Sequence, residues 1–84
     1  MHFVYILRCG DDSLYTGYTN DLDKRVKTHN SGKGAKYTRS RLPVRLVYSK
    51  RVDSKSIGLK LEARIKKLTK KEKEAFVKAS NLRK

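Results

Sequence analysis

Eighty-four residues with 22 Lys+Arg against 8 Asp+Glu, a formal net charge of +14, describe one small domain with a single modest core and a field that favours a polyanionic partner. No stretch approaches the ~20 apolar residues of a membrane span. The opening apolar run, Phe3 to Leu7, is too short for a signal-peptide core, and Arg8 ends it. A lone cysteine, Cys9, excludes an internal disulfide and fits a reducing cytosol; it sits in a turn and reads as incidental.

In chain order, the first element is a hairpin. Phe3-Val4-Tyr5-Ile6-Leu7 and Leu14-Tyr15-Thr16-Gly17-Tyr18-Thr19 are rich in β-branched and aromatic residues. The turn formers Cys9-Gly10-Asp11-Asp12-Ser13 separate them. With Arg8 paired near Leu14, Tyr15 falls opposite Leu7 and Gly17 opposite Tyr5. Alternation then puts Tyr5, Leu7, Tyr15 and Gly17 on one face, with open space above Tyr5 at the glycine.

A helix follows, capped by Asn20 or Asp21, with Asp23 at the positive end of the dipole and Gly32 as the stop. Leu22 and Val26 form a narrow apolar stripe. Arg25 and His29 stack at i, i+4 beside it, and the helix C-terminus favours a charged His29. Residues 31–42 read as a mobile basic loop. Lys33-Gly34-Ala35-Lys36 lacks the glycine spacing and leading strand of a nucleotide phosphate loop, so no nucleotide cofactor is expected. The loop is expected to touch phosphate oxygens through Lys33, Lys36, Arg39 and Arg41, with Thr38 and Ser40 as extra donors. Ten basic residues and no acidic one lie between Lys24 and Val52, so nucleic acid is the first candidate partner and an anionic membrane surface the second.

Pro43 opens a third strand, Val44 to Ser49. Asp53 or Ser54 starts a second helix that runs to about Leu68, with Ile57, Leu61, Ile65 and Leu68 as its core stripe. Gly58 either permits a close approach or weakens the first turn. Glu62 is the sole acid between Ser54 and Lys71, placed to pair with Lys66 at i+4. Thr69 to Glu72 is a capping box that opens a third helix, whose apolar side is Ala75, Phe76 and Ala79. Residues 81–84 read as a frayed tail, which leaves a single domain over 1–80. The fold class is α+β: a small three-stranded antiparallel or mixed sheet with about three helices, ordered β-β-α-β-α-α.

The order Val4-Tyr5-Ile6, Tyr15-Thr16-Gly17, Arg25-x3-His29-Asn30-x-Gly32 and Glu62-x3-Lys66-Lys67-Leu68 resembles the GIY-YIG nuclease superfamily. It looks closest to the small stand-alone bacterial (YhbQ-like) members, related to the N-terminal domain of excinuclease C. The resemblance covers Phe3 to about Val77. The family names Gly-Ile-Tyr and Tyr-Ile-Gly appear here as Phe3-Val4-Tyr5 and Tyr15-Thr16-Gly17, which keeps the tyrosines and the glycine. Gly58 stands where members usually carry a small helix former.

That resemblance implies a metal-dependent endonuclease acting on DNA, branched or nicked, in repair or recombination. The setting it implies is cytoplasmic and nucleoid-associated, with no membrane role and with a protein partner as one source of specificity. Tyr5, Tyr15, Arg25 and His29 are the implied catalytic residues, Gly17 a structural one, and Glu62 the ligand of one divalent ion, Mg²⁺ or Mn²⁺. Tyr5 is assigned the general base. Its unperturbed pKa of about 10 is too high for that task, and the surrounding cations are expected to favour the phenolate. His29 takes the phenol proton, Arg25 forks onto the phosphate, and Tyr15 orients the water or a phosphate oxygen. These five side chains are expected to converge within roughly 10 Å. The alternatives are a nucleic-acid-binding module of the same fold that does not cut efficiently, and a basic structural or ribosome-associated protein.

Overall fold

The computed structural model describes residues 1–81. Its centre is β1 (His2–Arg8), flanked by β2 (Leu14–Thr19) and β3 (Arg45–Val52) in the order β2-β1-β3, with both pairings antiparallel. Val4 to Leu7 are all buried, as befits a middle strand covered on both faces. The hairpin register is the expected one: Arg8 faces Leu14, Leu7 faces Tyr15 and Tyr5 faces Gly17. Between β1 and β3 the register slips by one residue, because Ile6 pairs with Tyr48 and Leu7 with Leu46. The extra residue, Val47, turns inward beside Tyr48 against the Val4 and Ile6 cluster.

Alternation along β1 divides the core. Val4 and Ile6 meet Leu14 on one side, under α3 (Lys55–Lys66) and α4 (Lys70–Asn81), which contribute Leu61, Ile65, Phe76 and Val77. Each fully buried aliphatic side chain there stabilises by about 1.5–3 kcal/mol. Tyr5 and Leu7 face the other way, packed with Cys9, Val44 and Leu22 and Val26 of α1 (Leu22–Asn30). Asp21 caps α1 by accepting from the Lys24 N–H at 3.2 Å. Ser54 caps α3 through the Ile57 N–H, and Thr69 and Glu72 exchange hydrogen bonds as a capping box at the start of α4.

Several local expectations are corrected. The segment read as a mobile loop carries a short helix, α2 (Lys36–Arg39), preceded by a Lys33 N–H bond to the Thr28 carbonyl at 3.2 Å and tied down again beyond its C-terminus. The Gly10 N–H donates to the Arg41 carbonyl at 2.6 Å, and Asn30 packs against the chain beyond it. The third strand begins at Arg45 rather than Val44. The Asn30 side chain takes both backbone groups of Val44, at 2.7 and 3.0 Å, and so withholds them from the sheet. Strand pairing then continues to Val52.

On α3, Ile57 is 49% exposed and does not belong to the core stripe. Gly58 takes that place, pressed so closely on Tyr18 and Val52 that a side chain there would collide with the tyrosine ring. Of the two expectations for Gly58, close approach is the one realised. On α4, Ala75 and Ala79 face solvent, and the buried side is Phe76 and Val77. Asn81 still belongs to α4, so the expected frayed tail begins no earlier than residue 82, and 82–84 lie outside the described residues. The bidentate pair of Arg8 with Glu74, at 2.8 and 2.6 Å, ties the end of β1 to α4. It draws the Glu74 carboxyl below its usual range.

Candidate active site

The face of the sheet that carries Tyr5 and Tyr15 is built around a chain of polar side chains. Tyr5 is 1% exposed, and its ring lies across Gly17. A Cβ on Gly17 would overlap the phenol, so the room expected above Tyr5 is filled by the Tyr5 side chain itself. The Tyr5 hydroxyl is 2.9 Å from His29 Nε2, and Arg25 Nε donates to the same oxygen at 3.3 Å. Both partners come from α1, four residues apart on one helix face, as the i, i+4 spacing predicts.

His29 has no exposed surface. Its Nδ1 lies 2.8 Å from the Thr38 hydroxyl on α2, and that hydroxyl donates to the Ala35 carbonyl at 2.9 Å. The ring is seated under Gly34, where a Cβ would overlap it. Tyr15 meets His29 edge-on at 5.3 Å between ring centroids, and stacks on Tyr37 at 5.9 Å.

The electrostatics reverse two expectations. Burial raises the Tyr5 pKa and outweighs the opposing pull of Arg25, so the phenol is held in its neutral form rather than biased to phenolate. Burial also lowers the His29 pKa, and the neighbouring Arg25 cation adds to the effect. The imidazole is therefore neutral at pH 7. The helix C-terminus, which favours a charged histidine, is overruled because the ring points into the core instead of toward water. Arg25 itself is held more firmly cationic, first by its hydrogen bond to Tyr5.

Glu62 arrives from the opposite side. Its helix packs across β1 and β2 on the Val4 and Ile6 face. Even so, the carboxylate contributes to holding up the Tyr5 pKa, after burial and beside Tyr15, so its charge reaches the phenol. The side chain is 18% exposed and pairs with Lys66 at 3.4 Å, as the spacing predicts. Among the described residues no group of three or more His, Cys, Asp or Glu could hold a metal ion. That donor set does not form a closed protein cage. It does fit Mg²⁺, which keeps most of its waters and takes other oxygens from a phosphate.

The four residues expected to touch phosphate separate into two kinds. Lys33 and Lys36 are exposed and make no ion pair among the described residues; Arg39 is likewise exposed, with its Nε on the Gly34 carbonyl at 3.2 Å. Arg41 is engaged within the protein. It pairs with Asp11 at 3.0 Å, donates to the Tyr37 carbonyl at 2.7 Å and lies 3.9 Å over the Tyr37 ring. Thr38, expected as a phosphate donor, is fully buried and spent on His29. The part Thr38 and Gly34 play around His29 was not anticipated. The only trace in the sequence is a small residue followed four positions later by a hydroxyl, a pattern too common to single out.

The arrangement sets a buried phenol between an imidazole nitrogen and a guanidinium. The chain belongs to the GIY-YIG family: the model of the GIY-YIG catalytic domain matches residues 1–75. Its relatives include a UPF0213 protein of Bacillus velezensis, 55% identical over 90% of this chain and 77% of that one. The UPF0213 protein YazA of Bacillus subtilis is 53% identical over the same shares. Among solved structures, the solution NMR structure of a UPF0213 protein from Bacillus halodurans matches with a TM-score of 0.62 and 51% identity, over 93% of this chain and 83% of that one. A protein from E. faecalis, also solved by NMR, matches at 0.65 and 43%, over 96% and 86%. No helix of the described residues is long and apolar enough to cross a membrane.

Proposed function

We propose that this protein is a divalent-metal-dependent endonuclease that hydrolyses DNA phosphodiester bonds, with Tyr5, Tyr15, Arg25, His29 and Glu62 as its working residues. The observation that carries the reading is the buried Tyr5 hydroxyl held at 2.9 Å from a neutral His29 and 3.3 Å from Arg25. A phenol so placed takes a proton from an attacking water only if it can pass its own on at once. His29 Nε2 is the group that receives it. The water O–H bond breaks toward the Tyr5 oxygen, the Tyr5 O–H bond breaks toward Nε2, and the product is an imidazolium beside a neutral phenol. The water oxygen forms the new bond to phosphorus, and the bond to the leaving oxygen breaks.

Arg25, partly buried and fixed by Tyr5, presents its remaining N–H groups to the phosphate, where its charge stabilises the extra negative charge of the transition state. Tyr15 borders the same space. Glu62 would hold the metal ion, which supplies Lewis-acid stabilisation of the phosphate oxygens when bound. Lys33, Lys36 and Arg39 would contact the DNA backbone on either side. Structure-specific cutting of branched or nicked DNA suits a domain this small, which has little surface for reading sequence. The domain would span residues 1–80.

The test is cleavage of a panel of duplex, nicked and branched DNAs with Mg²⁺ or Mn²⁺ by the wild type and by Tyr5→Phe, Arg25→Ala and Glu62→Gln. Wild-type cutting abolished by each substitution is expected. Full activity in any one variant removes that residue from the mechanism. Binding by all four proteins with cutting by none leaves a DNA-binding module of the same fold. Neutralising about six phosphates would give a slope of log K against log salt of roughly −5.

A further inference from the structure

The hydrogen bonds around His29 settle more than its position. The ring nitrogen Nδ1 meets a hydroxyl, Thr38 Oγ1, which can donate or accept, and Nε2 meets another, Tyr5 Oη. The geometry alone allows two proton arrangements. In one, Thr38 gives its proton to the Ala35 carbonyl, at 2.9 Å, and accepts from Nδ1–H; Nε2 is then bare and accepts from the Tyr5 hydroxyl. Arg25 Nε–H completes the set by donating to the Tyr5 oxygen. Every donor has an acceptor.

In the other arrangement Thr38 donates to Nδ1, and Nε2–H points at Tyr5. The Tyr5 oxygen then faces two donors, Nε2–H and Arg25 Nε–H, and its own proton has no protein acceptor among the described residues. A buried donor left without an acceptor is penalised, and the first arrangement, which leaves none, is favoured. Among the described residues, four groups face the ring from the packed elements. Tyr5 comes from β1, Tyr15 from β2 edge-on, Arg25 from α1, and Thr38 from α2.

We propose that Thr38 is a positioning residue: its hydroxyl, turned to accept by the Ala35 carbonyl, locks His29 in the Nδ1–H tautomer and so leaves Nε2 open to the Tyr5 proton. The short helix α2 thereby joins the site. It sets the tautomer through Thr38 and backs Tyr15 through Tyr37. Arg41 pins the segment to the hairpin turn through Asp11. The catalytic consequence rests on the nuclease function proposed above; the tautomer does not.

The experiment is therefore in two arms. Long-range ¹H–¹⁵N NMR of the ¹⁵N-labelled full chain reads the two ring nitrogens of His29, with His2→Gln removing the other histidine from the spectrum. The wild type should show Nδ1 protonated and Nε2 bare. Thr38→Val should populate the Nε2–H form, and Thr38→Ser should restore the original. A wild-type Nε2–H form, or a Thr38→Val spectrum unchanged from wild type, overturns the proposal.

In the second arm, Thr38→Val should lower the cleavage rate about 10–100-fold, as loss of an orienting partner commonly does. DNA affinity should stay unchanged, and Thr38→Ser should recover most of the rate. Loss of affinity in step with rate would mean that Thr38 only maintains the fold, and would overturn the catalytic role. If the wild type cuts no DNA, the nuclease reading fails, while the spectra still decide the tautomer.

Discussion

On one face of the sheet, Val4, Ile6 and Leu14 meet Ile65 and Val77, and the buried contacts are almost all apolar. On the other, Tyr5 and Leu7 share their space with His29 and Thr38, both without exposed surface. The first face is held by area removed from water, which is non-directional and forgiving of repacking. The second is held by hydrogen bonds with fixed direction and by glycines that admit a phenol and an imidazole where a methyl would not fit. The apolar packing comes mainly from α3 and α4, and the hydrogen-bonded side chains from α1 and α2. Glu62 is the exception, an acid on the apolar side whose charge adds to the rise in the Tyr5 pKa.

The sharpest way to separate the two faces is to cut one side chain on each. Tyr5→Phe keeps the ring over Gly17 and removes the hydroxyl. DNA cleavage should fall about 10²–10⁴-fold, the range for losing a general base, while stability falls by only about 1–3 kcal/mol as His29 Nε2 loses its buried partner. Ile6→Ala, its neighbour on the apolar face, should do the converse. It should cost about 2–5 kcal/mol in urea unfolding and leave the rate per folded molecule unchanged.

A smaller effect comes with pH. His29 has a folded-state pKa below its unfolded value of 6.5, so the unfolded chain binds more protons in between. Stability from this group is fully present above pH 6.5 and is lost as pH falls toward the folded-state pKa. Thermal melts should therefore decline below that pH in wild type and in His2→Gln alike; a rising or flat midpoint would contradict the buried neutral ring.

The smallest change expected is a gain. Thr16, buried opposite Ile6 in the hairpin, has a hydroxyl with no hydrogen-bond partner, the one such buried side-chain atom among the described residues. Thr16→Val should stabilise by about 1 kcal/mol. That corresponds to a rise of about 4–8 °C in the melting midpoint of a domain this size.

Much of the apolar face could be read from period-two and period-four patterns, because those patterns are the direct record of burial. The hairpin register followed from pairing Arg8 with Leu14, and the Thr69 box announced α4. The errors there were single steps of phase. Ile57 yields to Gly58 because only a glycine lets the helix close on Tyr18, and no hydrophobicity scale rewards a missing side chain.

The polar face was legible in its members but not in its wiring. Tyr5, Arg25 and His29 could be named from their order, yet the sign of the Tyr5 shift could not. Net charge spread along the chain predicted a phenolate, and burial decided for the neutral phenol. Thr38 and Arg41 were read as phosphate contacts because a basic stretch without periodicity hides a four-residue helix. Their true partners, His29 and Asp11, lie 9 and 30 residues away.

The hydrogen-bonded series that begins at Tyr5 stops at a peptide oxygen, that of Ala35. An amide oxygen tolerates a neighbouring hydrogen but is far too weak a base to keep one. The series is thus a cul-de-sac: nothing deposited on the imidazole can drain away through the protein interior. In the nuclease proposed above, each cycle would therefore reset through the same phenol by which it was loaded, tying recovery to the departure of the cut strand from its mouth.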